Sequence, residues 1–185
     1  SDGLPFGITL IAPAWHEIAL GQFAAHWQAF MALPEAPVLL GNKKDESIVV
    51  AVVGAHLTGM PLNHQLTSRY ATLLEQTLTA NKYQLYALAN TVPPKPGLVR
   101  VSDSALAQDP TLGNQLIVEL WRIDLAGFGS FVEEIPQPLG IGTLELADGR
   151  LVKGFICEPE AVASATHISE FGGWRAYIKH LNSTK

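Results

Sequence analysis

The sequence is poor in cysteine and in charge. Its 185 residues include one cysteine, Cys157, which cannot form a disulfide within the chain. Only 16% of the residues are charged and 48% are hydrophobic, which excludes a globally disordered chain. The 12 Lys and Arg are outnumbered by 17 Asp and Glu. Because a surface that binds phosphates needs an excess of basic residues, we predict a soluble cytoplasmic protein that binds neither nucleic acid nor membranes.

Motifs for metals, nucleotides and membranes are also missing. The six histidines form no HExxH pattern, and one cysteine cannot complete a zinc site of four ligands. There is no GxGxxG, GxxxxGK or GxSxG. The apolar runs stop short of the roughly 18 to 20 residues that a membrane span needs, and the first residues lack a signal-peptide pattern. We therefore predict no metal and no cofactor.

A segment rich in proline, glycine and charge divides the chain. Residues 34–46 have no apolar period and are typical of a linker. Residues 1–33 predict one strand near 6–12 and one helix with an apolar stripe. The stripe consists of Leu20, Phe23, Trp27 and Phe30. A strand and a helix alone cannot bury such a stripe, so we expect another domain or a second copy of the chain to cover it.

Residues 47–185 predict the main domain. Short apolar runs separated by turn residues predict five or six strands, with a hairpin at Asp148-Gly149. Helices are predicted over 70–78, over 124–132 after an Asp124 cap, and near the C-terminus. Strands and helices do not alternate strictly, which favours an α+β fold with a small barrel-like sheet and flanking helices.

The loop after the first predicted strand of this domain is the best candidate for chemistry. Residues 54–59 form a glycine-bearing loop with His56 in its middle. Consecutive backbone N–H groups in such a loop bind a carboxylate or an oxyanion. A plain strand exit with a solvated histidine explains the same spacing. Asn63 and His64 add polar groups nearby, and either residue could instead cap a turn.

Two other charged pairs are candidates. Lys95 and Arg100 flank Pro96-Gly97 and either neutralise a small dianion or are simply solvated. Glu133 and Glu134 follow an apolar helix. If one of them points inward, burial raises its pKa and makes it a general acid or base; if not, both are exposed acids at a helix end.

Seven segments together resemble one known family, the C-terminal domain of allophanate hydrolase. They are residues 53–65, 83–88, 93–100, 128–132, 138–143, 148–155 and 171–177. Residues 4–13 and the helix after them resemble the last strand and helix of the amidase-signature domain that precedes this domain in the family. The Ser-Ser-Lys triad of that amidase has no match here, so we do not expect this chain to hydrolyse allophanate itself.

The resemblance implies a small mixed β-barrel of the γ-glutamyl cyclotransferase-like type. In that fold the glycine loop binds a substrate carboxylate through backbone amides, which assigns substrate binding to Gly54, Ala55 and Leu57. Glu134 falls near the acid/base glutamate of the cyclotransferases. The resemblance also implies a reaction: decarboxylation of the N-carboxycarbamate that an amidase domain of the same parent chain produces, leading to ammonia and carbon dioxide.

This reaction needs a proton donor beside the nitrogen and groups that hold the carboxylates. His56 is the predicted donor, because an unperturbed histidine titrates near neutral pH. Asn63, Tyr86, Lys95 and Arg100 are the predicted carboxylate ligands. The predicted partners are a small dicarboxylated substrate, the amidase domain and a second copy of the chain.

Two alternatives remain. In the first alternative, the domain is a non-catalytic module that fixes assembly of the amidase, and the apolar stripe of residues 20–30 favours this interpretation. A true γ-glutamyl cyclotransferase is disfavoured, because that family usually has serine after the glycine where this sequence has Gly54-Ala55.

Overall fold

The computed structural model describes residues 17–30, residues 46–184 and three single positions, Thr9, Ile11 and Pro13. The chain forms two compact units that divide after residue 44. In the first unit, helix α1 spans Glu17–Phe30. The strand expected near residues 6–12 and nearly all of the expected linker lie outside the described residues. Assignment of residues 1–33 to the end of an amidase domain therefore stays a prediction.

The second unit contains eight strands, four α-helices and three short 3-10 helices among its described residues. The strands are β1 (Ser47–Val52), β2 (Thr72–Leu78), β3 (Tyr83–Ala87), β4 (Pro96–Arg100), β5 (Ile117–Asp124), β6 (Leu139–Glu145), β7 (Leu151–Cys157) and β8 (Thr166–His167). The helices are α2 (His64–Thr67), α3 (Asp103–Gln108), α4 (Leu125–Glu133) and α5 (Trp174–Ser183). The 3-10 helices span Pro110–Leu112, Pro159–Val162 and Ser169–Phe171. In the described part of the chain, every helix is too short or too polar to cross a membrane.

Strand β1 lies at the centre of the larger sheet. This sheet has the order β2-β5-β1-β7-β6, and a second sheet has the order β4-β3-β8. Strand β1 pairs antiparallel with β5 and parallel with β7, so the sheet is mixed. Val50, Ala51 and Val52 are fully buried. The loop that leaves β1 therefore starts from a fully buried part of the core.

The α+β class predicted from the sequence is confirmed, but the sheet is not closed into a barrel. The outer strands β2 and β6 meet only at one end, through an isolated bridge between Thr79 and Leu146. The N–H of Ala147 donates to the carbonyl of Leu78 at 2.9 Å. Away from this end the two strands are unpaired with each other. Closure requires strand tilt and register to match around the whole sheet, and here they match only locally.

The helix predicted over residues 70–78 is wrong, because this segment forms β2. Its apolar residues fit a helical period, but the segment pairs antiparallel with β5 and carries a bulge between Leu73 and Glu75. Leu73 and Leu74 are 42% and 38% exposed, so they do not form the buried helical face that was expected. A short apolar pattern does not distinguish a helix from a strand. Here the segment forms a strand because the edge of β5 is available for pairing.

Two local predictions are confirmed. The side chain of Asp124 accepts a hydrogen bond from the N–H of Gly127 at 2.8 Å and caps α4. Strands β6 and β7 form the hairpin expected around Asp148-Gly149, and Gly149 has a φ of +86°. Glycine adopts this left-handed conformation without steric cost, which is why the turn needs it.

Candidate functional site

The loop after β1 is a tight turn with unused backbone donors. The N–H of Leu57 donates to the carbonyl of Gly54 at 3.0 Å, and the N–H of Leu62 donates to the carbonyl of Ala55 at 2.8 Å. Outside the strand ladders, no hydrogen bond between described residues uses the N–H of Gly54, Ala55 or His56. Three successive N–H groups are therefore free to bind an anion.

Gly54 is required by the close approach of a neighbouring strand. A Cβ added to Gly54 would lie 2.3 Å from Cδ and 2.4 Å from Cγ of Pro96, at the start of β4. These distances are far shorter than any van der Waals contact. A glycine at this position therefore lets the loop pack directly against the segment that carries Lys95.

The ring of His56 lies between two aromatic rings. It stacks on Phe155 of β7, with centroids 5.0 Å apart, and makes an edge contact with Phe131 of α4 at 5.1 Å. Its Nε2 is 2.7 Å from Oε1 of Gln65, on α2. Nδ2 of Asn63 donates to the backbone carbonyl of His56 at 2.9 Å. Three elements of the fold, β7, α4 and α2 with its N-cap residue Asn63, thus fix one histidine.

These contacts also set the charge and tautomer of His56. Burial lowers the pKa of His56 below its ordinary value of 6.5, Lys95 lowers it further, and the hydrogen bond with Gln65 opposes the shift. The ring is therefore neutral at pH 7. Because Gln65 offers its carbonyl oxygen, Nε2 carries the hydrogen. Nδ1 has no hydrogen-bond partner among the described residues. Because every fully buried side-chain nitrogen among these residues has a partner, Nδ1 is not fully buried and is accessible to a ligand.

His56, Lys95 and Glu134 line one small cavity. Its volume is about 150 Å³. Its wall also contains Leu62, Gln65, Val92, Pro93, Phe131, Ile135, Pro136, Leu139 and Phe155. A second cavity of about 20 Å³ is bordered by Gly54, Ala55, His56 and Lys95 as well. Sites for drug-sized ligands are usually larger than ~300 Å³, so this volume favours a ligand of a few non-hydrogen atoms.

Lys95 and Glu134 differ in their partners. No carboxylate of the described residues forms an ion pair with Lys95, which leaves its charge available to a ligand. Glu134 pairs with Arg69 at 2.5 Å, and its side chain is 46% exposed. Glu134 therefore lies at the rim of the cavity, and not in the apolar interior that would have made a buried proton donor of it.

The other predicted site residues do not line this cavity. The side chain of Leu57 is buried in the core, and its N–H is used within the turn. Asn63 holds the backbone of His56 instead of facing a ligand. The hydroxyl of Tyr86 donates to Oε1 of Gln84 at 2.7 Å. Arg100, at the far end of β4, lies 3.6 Å from carboxylate oxygens of Asp103 and Glu145.

Comparison with known proteins gives the family. The family model described as "Allophanate hydrolase C-terminal domain" matches residues 48–179. The chain belongs to this family. It is 38% identical over 200 residues to the urea amidolyase of Saccharomyces cerevisiae, an alignment that covers 97% of this chain and 10% of that protein.

Solved structures agree with this assignment. The allophanate hydrolase of Kluyveromyces lactis is 42% identical with a TM-score of 0.67, over 73% of this chain and 21% of that one. A uropathogenic E. coli-specific protein is 28% identical with a TM-score of 0.63, over 72% of this chain and 97% of that one. This allophanate hydrolase C-terminal domain thus spans about a tenth of the curated urea amidolyase and about a fifth of the solved yeast hydrolase.

Four residues around the site were not predicted from the sequence: Gln65, Arg69, Glu119 and Arg175. Gln65 and Arg69 lie on or next to the short helix α2, and nothing in their spacing points to His56 or Glu134. Glu119 did carry a signal, because it is a single acid within the apolar run of β5. In the described part of this domain, no group of three or more His, Cys, Asp and Glu is placed to hold a metal ion.

Proposed function

We propose that this domain promotes decarboxylation of N-carboxycarbamate that an amidase domain of the same parent chain produces. The step belongs to the breakdown of urea-derived allophanate to ammonia and carbon dioxide. Membership of the allophanate hydrolase family supports the pathway. The low cysteine content favours a cytoplasmic location, which is part of the same proposal.

One observation carries the proposal. His56, with its open Nδ1, and Lys95, with its unpaired ammonium, line both cavities, and the smaller cavity also borders Gly54 and Ala55, whose N–H groups have no partner among the described residues. A ring that can take up and donate a proton, beside two kinds of anion ligand, is what the decarboxylation of a small dicarboxylated nitrogen compound requires.

The proposed step breaks one C–N bond. N-carboxycarbamate loses one carboxylate as CO₂, and the electron pair of the bond stays on nitrogen, which takes one proton and leaves carbamate. His56 supplies this proton from Nδ1. A second proton, from solvent, then restores the ring. Lys95 and the N–H groups of Gly54 and Ala55 hold the carboxylate that stays. The apolar wall at Phe155 favours neutral CO₂ over a charged carboxylate.

The low pKa of His56 makes its protonation depend on the substrate. The empty site holds a neutral ring, because burial disfavours the imidazolium. A bound dianion beside the ring favours the charged form, so binding draws a proton onto Nδ1. The proton donor is then present only when there is a substrate to receive the proton.

The test compares His56→Ala with the unchanged protein. A separate amidase acting on allophanate supplies N-carboxycarbamate, and CO₂ release is followed. We expect His56→Ala to lower the catalysed rate by roughly 10² to 10⁴-fold. Malonate, which has CH₂ in place of NH, should still bind, because its carboxylate ligands remain. Calorimetry in buffers of different ionisation enthalpy should detect proton uptake with malonate in the unchanged protein and none in His56→Ala.

His64→Ala is the matched control, since the ring of His64 is exposed and its side chain hydrogen-bonds the carbonyl of Pro61, which does not line the cavity. It should leave both the rate and the proton uptake unchanged. An unchanged rate in His56→Ala would contradict the role of His56. If the rate of CO₂ release then fell only in Glu134→Gln, the proton donor would be Glu134, which lines the same cavity.

A second function, assembly of the parent enzyme, is supported by the aromatic face of α1. Phe23 and Phe30 are 52% and 81% exposed, and both rings lie within 6.5 Å of the Trp27 ring. An aromatic cluster of this kind is typical of an interface. If α1 holds a homo-oligomer together, Trp27→Glu should lower the oligomeric mass in solution; an unchanged mass would exclude this role for Trp27.

A further inference from the structure

A buried carboxylate binds the loop of residues 54–59, which follows β1. Glu119 projects from β5, the neighbour of the central strand β1, and is 3% exposed. Its Oε2 accepts hydrogen bonds from the N–H of Thr58 at 2.8 Å, the hydroxyl of Thr58 at 2.9 Å and Nε1 of Trp121 at 3.2 Å. Its Oε1 accepts from Nη2 of Arg175 at 2.6 Å. Both oxygens are therefore fully engaged.

Arg175 also binds Thr58. Its Nη2 also donates to the backbone carbonyl of Thr58 at 2.7 Å. The N–H, the hydroxyl and the carbonyl of Thr58 are thus all bonded to one ion pair. Thr58 follows His56 by two positions, and Gly59, with a φ of +80°, turns the chain immediately after it. The exit of the loop is fixed at this point.

Stability alone does not explain this ion pair. Burial raises the pKa of the Glu119 carboxyl, but hydrogen bonds from Arg175 and Thr58 together outweigh burial and hold the pKa below its ordinary value of 4.5. Glu119 is therefore charged at neutral pH. The Arg175 side chain is 36% exposed, so solvent screens its attraction to Glu119, and the burial of Glu119 offsets part of what remains. The ion pair fixes the orientation of Thr58, because it binds the N–H, the hydroxyl and the carbonyl of that residue.

We propose that Glu119 and Arg175 are positioning residues for the proposed reaction: they hold Thr58 so that the free N–H groups and the His56 ring face the cavity. Neither residue lines that cavity, so neither contacts the substrate. The proposal rests on the function proposed above for His56. The ion pair is called the Thr58 clamp below.

The first test is Glu119→Gln, which keeps the size of the side chain. The amide presents an NH₂ group either to Thr58 or to Arg175, so one of the donors loses its acceptor. We expect the rate of CO₂ release to fall by up to roughly 100-fold, since a misplaced site loses rate steeply with distance. Malonate should bind more weakly. Glu145→Gln is the matched control, because Glu145 pairs with Lys82 away from the loop and should change neither value.

The second test removes the clamp without leaving a buried charge. The double variant Glu119→Leu and Arg175→Met is expected to stay folded, with the thermal midpoint checked by circular dichroism. Loss of turnover in this folded variant supports the clamp. Full turnover in either folded variant would overturn it, because the loop would then hold its geometry without the ion pair.

A third readout does not depend on turnover. NMR titration of the His56 ring should give a pKa closer to 6.5 in Glu119→Gln than in the unchanged protein, because the ring leaves its place between Phe131 and Phe155. Glu145→Gln should not move it. If the unchanged protein fails to accelerate CO₂ release, the proposed function is wrong, and this titration with malonate binding still decides the clamp: an unmoved His56 pKa and unmoved malonate affinity would overturn it.

Discussion

At the residue scale, the same contacts that hold His56 also change its chemistry. Stacking on Phe155 and the edge contact with Phe131 remove the ring from water, and this burial is the largest cause of its lowered pKa. A histidine held by hydrogen bonds alone would titrate nearer its ordinary value. The apolar wall therefore both orients the ring and keeps it neutral until an anion enters.

This burial predicts how stability depends on pH. The pKa of His56 in the folded protein lies below 6.5, its value in an unfolded chain. Between these two values the unfolded chain binds a proton that the folded protein does not. The free energy of unfolding should therefore fall as the pH decreases through 6.5, and this contribution should level off below the folded pKa. Urea titrations between pH 8 and pH 5 measure it.

The control for this prediction is the difference between two variants. His56→Gln should lose the part of the pH dependence that begins near 6.5, whereas His64→Ala should keep most of it, because His64 is a smaller cause of the lowered pKa than burial is. Parallel curves for His56→Gln and the unchanged protein would show that His56 does not have the lowered pKa that its burial implies.

At the element scale, helix α4 links folding to the site. Its first residues follow directly from β5, and Asp124 caps it at the junction. Its last turns carry Phe131, which contacts His56, and lead to Glu134 at the cavity rim. The helix therefore places Phe131 and the segment that follows it, residues 134–136, in the wall of the cavity.

Two substitutions in α4 should change stability in opposite directions. Asp124→Ala removes the cap and should lower the free energy of unfolding by about 0.5 to 2 kcal/mol. Gly129→Ala adds a methyl group where no atom lies within 4 Å. It should raise the free energy of unfolding by about 0.5 to 1 kcal/mol, because alanine loses less backbone freedom than glycine in a helix. Chemical denaturation measures both values.

The matching outcome at the site separates folding from function. Because neither substitution touches the cavity, malonate affinity should stay the same in both variants under conditions where they are folded. A large change in affinity for Gly129→Ala would contradict the view that α4 is a rigid wall whose exposed face is independent of the site.

At the scale of the whole molecule, the second unit has its own core and its own candidate site. The hydrophobic cluster draws on both sheets and on α2, α4 and α5, and all its members lie between residues 48 and 178. Arg150, in the turn between β6 and β7, forms an ion pair with Glu75 of β2 at 2.8 Å.

The second unit should therefore fold without the first. A fragment of residues 46–185 should unfold cooperatively, with a thermal midpoint within about 4 °C of the full chain, a change that corresponds to roughly 1 kcal/mol. It should bind malonate with unchanged affinity. An unfolded or aggregated fragment would show that the first unit contributes to the core, and normal folding with lost binding would show that it contributes to the site.

Local patterns in the sequence determined most of the strands and the loop that carries His56. The apolar run before Gly54, the cap at Asp124 and the Asp148-Gly149 turn each act through neighbouring residues. Such signals need no knowledge of the rest of the chain. The seven segments that resemble the family also fall within this domain, so the family and the α+β class were accessible from the sequence.

The tertiary structure alone decided which side chains meet. Gln65 lies nine positions from His56, Glu119 lies 61 positions from Thr58, and Arg175 lies 117 positions from it. Strand β2 became a strand because β5 offered an unpaired edge, and Tyr86 and Arg100 were carried away from the cavity by their places on β3 and β4. Spacing along a chain fixes which residues share a face of one element. It does not fix which elements pack together, and the pKa of His56 depends on that packing.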